Sequence, residues 1–153
     1  MKKLAICVAA MVAAPAWATS PPQGPQGLWL TEKKGVILDV YACGEAALCA
    51  RTVWLKKMNH KDGAPRLDAK NPDAALRERH WCGIEVIRGV AEDGPGKWEG
   101  GKIYDPKTGL TFDFDMKLDG DQMKVRGYKV VRAIGKSETW TRTDGAGVEF
   151  CDG

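Results

Sequence analysis

The stretch that decides the fold is Leu110 to Val130, LTFDFDMKLDGDQMKVRGYKV. Leu110, Phe112, Phe114, Met116 and Leu118 alternate with Thr111, Asp113, Asp115 and Lys117. A period of two puts the apolar side chains on one face of a strand and the polar ones on the other. Asp119-Gly120 reads as the two left-handed central residues of a type I′ turn. That turn sets Leu118 opposite Asp121, Met116 opposite Met123 and Phe114 opposite Val125, so the apolar faces of the two strands coincide. The segment is a hairpin with one dry face.

Outward from it, similar runs fall near 27–32, 35–43, 47–55, 83–91, 97–104, 121–131 and 136–143, separated by Gly, Asp and Pro. With 110–118 they make eight strands. In the second and third, Val36, Leu38, Val40 and Ala42 share a face with Ala50, Thr52 and Trp54, while Asp39 and Arg51 lie on the other. This register puts Cys43 opposite Cys49, close enough for a disulfide, and leaves Cys82 to pair with Cys151. Consecutive antiparallel strands with one apolar face each must stack as two sheets or close on themselves. The hairpin order favours an all-β, eight-stranded up-and-down barrel. Its connections then divide into short ones at one end (43–49, 92–96, 118–121) and the unusual ones at the other (33–34, 56–82, 105–109, 132–135).

The chain has 153 residues, 44% hydrophobic and 28% charged, enough for one folded domain. Lys2 and Lys3 precede an apolar run ending Ala16-Trp17-Ala18, the layout of a signal peptide over 1–18 cleaved after Ala18. A flexible leader, 19–26, and a barrel domain, 27–153, follow. Removing 1–18 takes away two lysines and Cys7, leaving a net charge of +1 and no transmembrane segment. That charge excludes a nucleic-acid partner. The four remaining cysteines suit an oxidising compartment, so the expected location is the periplasm or the medium. Their spacing lacks any C-x-x-C, and no metal site is expected.

Gly27-Leu28-Trp29 opens the first strand and Trp140-Thr141-Arg142 closes the last. The pair resembles the lipocalin (calycin-like) arrangement, which implies a structural floor made by Gly27, Trp29 and Arg142, the Arg lying on the Trp. The segments GLWLTEKKGVILDVYACG, LCARTVWLKK, NPDAALRERHWCGIEVI, KWEGGKIYDPKTG and VRGYKVVRAIGKSETWTR are together similar to a family of exported bacterial proteins known as domain of unknown function 2147. That resemblance implies a lipocalin-like barrel in the cell envelope and no reaction.

The connection 56–82 is long for a compact barrel and reads as a lid over the mouth. Asn71-Pro72-Asp73 caps a short helix that runs through Arg77 and Arg79 to Trp81. Those arginines are the lid's cations for an anionic group. Facing it, Tyr104-Asp105-Pro106-Lys107-Thr108-Gly109 forms a turn-rich loop. Pairing Gly127 with Trp140 sets Lys129 opposite Glu138 near the mouth, beside Trp54 and Phe112. Tyr104 with Lys102 joins this face in one register of the fifth strand; Ile103 with Glu99 does in the other. Motifs for a nucleophile elbow, a phosphate loop or a zinc protease are missing, and neither cofactor nor catalysis is expected. The reading is a binding module for a small amphipathic or lipid-like ligand, with candidate residues Trp54, Tyr104, Phe112, Lys129, Glu138, Trp140, Arg77 and Arg79. The alternative is an envelope interaction protein whose barrel is filled by its own side chains.

Overall fold

A sheet with one continuous apolar face is stable only when that face is covered, and here the sheet covers itself by closing. The computed structural model describes residues 24–151. The expected signal peptide and the leader as far as 23 lie outside the described residues. The strands are β1 (Gly27–Leu30), β2 (Val36–Ala42), β3 (Ala47–Leu55), β4 (Glu85–Glu92), β5 (Lys97–Asp105), β6 (Leu110–Asp119), β7 (Gln122–Tyr128) and β8 (Gly135–Arg142). Each pairs antiparallel with the next, and β1 pairs with β8 through Trp29↔Arg142 and Leu30↔Thr141 to close an eight-stranded up-and-down barrel. No helix among the described residues is long and apolar enough to cross a membrane.

The founding hairpin forms two residues away from its expected register: Leu118 faces Met123, Met116 faces Val125 and Phe114 faces Gly127. Asp119↔Gln122 closes the loop, so the turn residues are Gly120 and Asp121. Only Gly120 has positive φ, 59°, the pattern of a II′ turn, which wants glycine first, rather than of I′. A slip of two preserves side-chain parity, so the dry face is unchanged.

The β2–β3 hairpin slips likewise. Tyr41, not Cys43, faces Cys49, because the Cys43 N–H bonds Ala47 O at 3.0 Å and shortens the loop to 44–46. The Cys43–Cys49 disulfide forms between diagonal neighbours with a Cα separation of 5.7 Å, and Cys82 joins Cys151. Further along, Leu38 faces Thr52 but Ile37 faces Trp54, so Val53 is the extra residue of a bulge. The bulge reverses parity. Leu55, opposite Val36, takes the inner face, and Trp54 turns to the outer one.

A third departure is larger. Gly127 faces Lys136, and Trp140 faces Met123, four residues from the expected pairing. Strand β7 stops at Tyr128 because Val130 takes a φ of 64° and the chain curls outward. The Arg126 guanidinium holds that curl through Arg132 O at 2.7 Å and Ala133 O at 3.1 Å. In the lid, the expected helix contracts to a single 3₁₀ turn, Ala74–Leu76, with Asp73 as the capping residue. The chain must double back there for His80 to bridge Leu67.

The core fills the lower barrel. Trp29, Val90 and Met123 are fully buried, and Phe114 stacks on Trp140 with 6.0 Å between centroids.

Candidate functional site: the cavity at the mouth

Above Trp140 and Phe114 the large inward side chains give way to Val36, Thr52, Val86 and Gly127, and a cavity of about 770 Å³ opens. Barrels of eight strands leave room for one small ligand when their inner positions are not filled, and ligand pockets run to roughly 300–1,000 Å³. Its wall is mainly apolar: Leu38, Leu55, Ile103, Phe112, Phe114 and Trp140. Its charged lining is cationic on balance, Lys33, Lys107, Lys129 and Lys136, contributed by three connections and the start of β8, standing against Asp105 and Glu138.

Among the residues expected here, Tyr104, Phe112, Lys129, Glu138 and Trp140 line the cavity, whereas Trp54, Arg77 and Arg79 do not. The bulge at Val53 carries Trp54 to the outer face. The arginines are spent inside the lid: Arg77 Nε donates to Asn71 O at 2.8 Å and Arg79 Nη2 pairs with Asp68 Oδ2 at 2.9 Å. Lys129 and Glu138 do not meet, because of the register of β7 and β8. Glu138 pairs instead with Lys136 at 2.9 Å and accepts from the Trp140 indole at 3.4 Å. The hydrogen bond to Glu138 raises the Lys136 pKa, so this rim charge is secure at neutral pH. Lys129 lies 5.2 Å from the Phe112 ring centroid, leaving its ammonium at the opening. Neither alternative for β5 holds whole: Ile103, facing Phe112, and Tyr104 both line the cavity, whereas Lys102 pairs with Asp113 and Glu99 with Arg132 away from it, on either side of a bulge between Trp98 and Gly101.

Tyr104 has a different task. Its hydroxyl donates to Asp68 Oδ1 at 2.5 Å, and burial followed by that hydrogen bond pushes its pKa up to about 12. Asp68 is wholly buried and also accepts from Asn71 Nδ2 at 2.7 Å and Arg79 Nε at 2.9 Å. A buried carboxylate is tolerable only with such partners. The cluster therefore latches the lid to the end of β5. A second contact reinforces it: Gly109, at φ 74°, lies so close to Lys70 that a β-carbon would stand 2.0 Å from Lys70 O.

Sequence reasoning missed Asp68, since a lone aspartate in a loop carries no periodic signal. It missed Lys33, Lys107 and Lys136 as a group because they converge only when the barrel closes. Trp81, which lines the cavity beneath Arg66, was legible only as the end of the lid.

At the opposite end, the Arg142 guanidinium lies 4.3 Å from the Trp29 ring centroid and donates to Gly24 O at 2.6 Å and Gln26 O at 2.9 Å. The Trp29 indole N–H donates to Pro25 O at 2.8 Å. This end is sealed.

Three comparisons bear on the site. Residues 27–142 match a family described as an uncharacterized protein conserved in bacteria, DUF2147. A solved structure of a Helicobacter pylori protein, described as belonging to the lipocalin family, superposes with a TM-score of 0.67 at 20% identity, over 78% of this chain and 82% of that one. At that identity the likeness is one of fold. No curated protein matches the sequence.

Proposed function

The chain belongs to the DUF2147 family of bacterial proteins, and from that premise we propose that it is an exported binding module holding a small amphipathic or lipid-like ligand, apolar part inward and anionic head at the rim. The observation that carries this reading is the cavity itself: about 770 Å³, mainly apolar, with Lys33, Lys107, Lys129 and Lys136 outnumbering Asp105 and Glu138 in its charged lining. An apolar wall in contact with water favours any occupant that covers it, at roughly 25 cal/mol per Å². The lysines select against a cationic head and favour a carboxylate or phosphate. The lipocalin-like shape agrees with a ligand held inside a barrel. Export is supported by the expected signal peptide and by two disulfides, which persist in oxidising compartments.

The test uses cis-parinaric acid, a fluorescent fatty acid, and a Gly127→Phe variant. Gly127 lines the cavity, and a β-carbon there meets only ordinary contacts, 3.7 Å from Ile103 Cγ2 and 4.0 Å from Asp113 O and Phe112 Cβ, so a larger side chain is introduced at the cavity wall. The natural chain is expected to bind the probe saturably at one per barrel. The variant is expected to lose binding with unchanged far-ultraviolet circular dichroism. Absence of saturable binding to the natural chain, or equal binding by both, refutes the reading.

A further inference from the structure

Two features of the mouth are not explained by the cavity wall. The first is the tip of the β7–β8 connection, 129–134: Lys129 and Ile134 line the cavity, but Val130, 94% exposed, and Val131, 47% exposed, do not. A β-branched residue rarely takes positive φ, yet Val130 holds 64° there. Val131 N–H donates to Lys129 O at 2.7 Å and Ile134 N–H to Val131 O at 3.1 Å. Arg132 reaches back over the outer barrel to Glu99 and Asp115, each at 2.8 Å. Together with the Arg126 bonds, these contacts pin the loop to the outer barrel and leave its two valines exposed.

The second feature is the distribution of charge. The connections at the mouth, 31–35, 56–84, 106–109 and 129–134, carry twelve Lys and Arg against five Asp and Glu, a net +7. Those at the sealed end, 43–46, 93–96 and 120–121, carry three acids and no base. A chain of nearly neutral total charge is thus strongly polarised along the barrel axis.

We propose that the mouth end docks on a bilayer surface containing anionic lipid, with Val130 and Val131 inserted among the head groups and the surrounding lysines above the phosphates. Basic residues near an anionic leaflet are each attracted to it, and exposed aliphatic side chains add buried apolar area. The sign of the charge decides the partner. Two mouths of +7 repel one another, which disfavours a second copy, and a pair of protruding valines has no use on a nucleic acid. Docking in this orientation sets the cavity opening against the lipid.

The experiment is co-sedimentation of residues 19–153, disulfides formed, with phosphatidylcholine vesicles and with equimolar phosphatidylcholine and phosphatidylglycerol vesicles. Val130→Ser/Val131→Ser removes the apolar tip, and Lys57→Glu/Lys61→Glu reverses charge at the mouth. None of these residues lines the cavity, so cis-parinaric acid binding should stay at the natural level in both variants, which separates failure of docking from failure of the cavity reading. The natural chain is expected to pellet with the anionic vesicles at 50 mM NaCl, and each variant, or 500 mM NaCl, to weaken partition about tenfold or more. A natural chain that stays in the supernatant with anionic vesicles overturns the inference, as do variants that pellet unchanged. A dimer in sedimentation velocity that Val130→Ser/Val131→Ser dissolves, without vesicle binding, assigns the loop to a second copy instead.

Discussion

The two ends of this barrel are made by the same eight strands and behave in opposite ways. At the sealed end the inward positions hold Trp29, Trp98, Met116 and Met123, all buried, and the guanidinium of Arg142 finishes the floor. At the open end Val36, Thr52, Val86 and Gly127 stand among the larger Leu55, Ile103 and Phe112, and together they leave the axis unfilled. Closure of the sheet fixes a diameter; inward side-chain volume, strand by strand, decides whether that diameter is filled. Polar groups follow the same division. Around Trp29 the indole and guanidinium donors bond backbone carbonyls within the chain, whereas the rim lysines stand at an opening.

The contrast is sharpest in the cost of truncation. Trp29→Ala removes a side chain with no solvent exposure from a packed layer and leaves a void behind, and should lower stability by about 3–5 kcal/mol in urea unfolding. Phe112→Ala removes a ring that already borders empty space, and should cost roughly 1–2 kcal/mol. Equal losses would mean that the upper barrel is as tightly packed as the lower. Next in size is Gly109→Ala. The alanine must adopt positive φ and push Lys70 away, so a local loss of about 1–3 kcal/mol is expected. Hydrogen exchange should then quicken in 66–72 and in the loop after β5, with the amides around Trp29 unaffected. Uniform loss of protection at both ends would show that lid and floor are one cooperative unit.

Much of this difference is visible in the sequence, and what is not has identifiable causes. Alternation of apolar residues gives eight strands, their order and the dry face, because a slip of two residues leaves parity intact. It gives the Cys43–Cys49 pairing even though the two turn out to be diagonal, and Cys82–Cys151 follows by elimination. It fails wherever one residue is inserted. The bulge at Val53 sends Trp54 outward, and the outward curl at Val130 moves Trp140 four places along β7, separating Lys129 from Glu138. Bulges and curls are decided by tertiary contacts such as the Arg126 clamp, which no local pattern encodes. The 56–82 connection is legible as an ordered segment through Asn71-Pro72-Asp73, but Asp68, the group that fastens it, is recruited by Tyr104 from 36 residues away.

That fastening yields the smallest effect and the most specific one. Tyr104 keeps its proton to a pH of about 12, whereas a tyrosine in an unfolded chain releases it near pH 10, roughly its free value. The folded chain then binds more protons than the unfolded one between these limits. Its stability must fall as pH rises through that window, while below it the contribution is fully present. Loss of the phenolic proton turns the donor to Asp68 into an anion facing a carboxylate, so the lid should release at the mouth before the floor loosens. Absorbance at 295 nm follows the three tyrosines, Tyr41, Tyr104 and Tyr128. The Tyr41 pKa is also raised, by burial and by its hydrogen bond to Glu85, so Tyr104 is not the one phenol expected to titrate late. Tyr104→Phe should remove one late phenol and flatten the decline of stability above pH 10, leaving the exchange of floor amides as it was. If the phenol lost in Tyr104→Phe is one that titrates near pH 10, the Asp68 latch does not hold Tyr104, and the mouth is tied down by Gly109 and Lys70 instead.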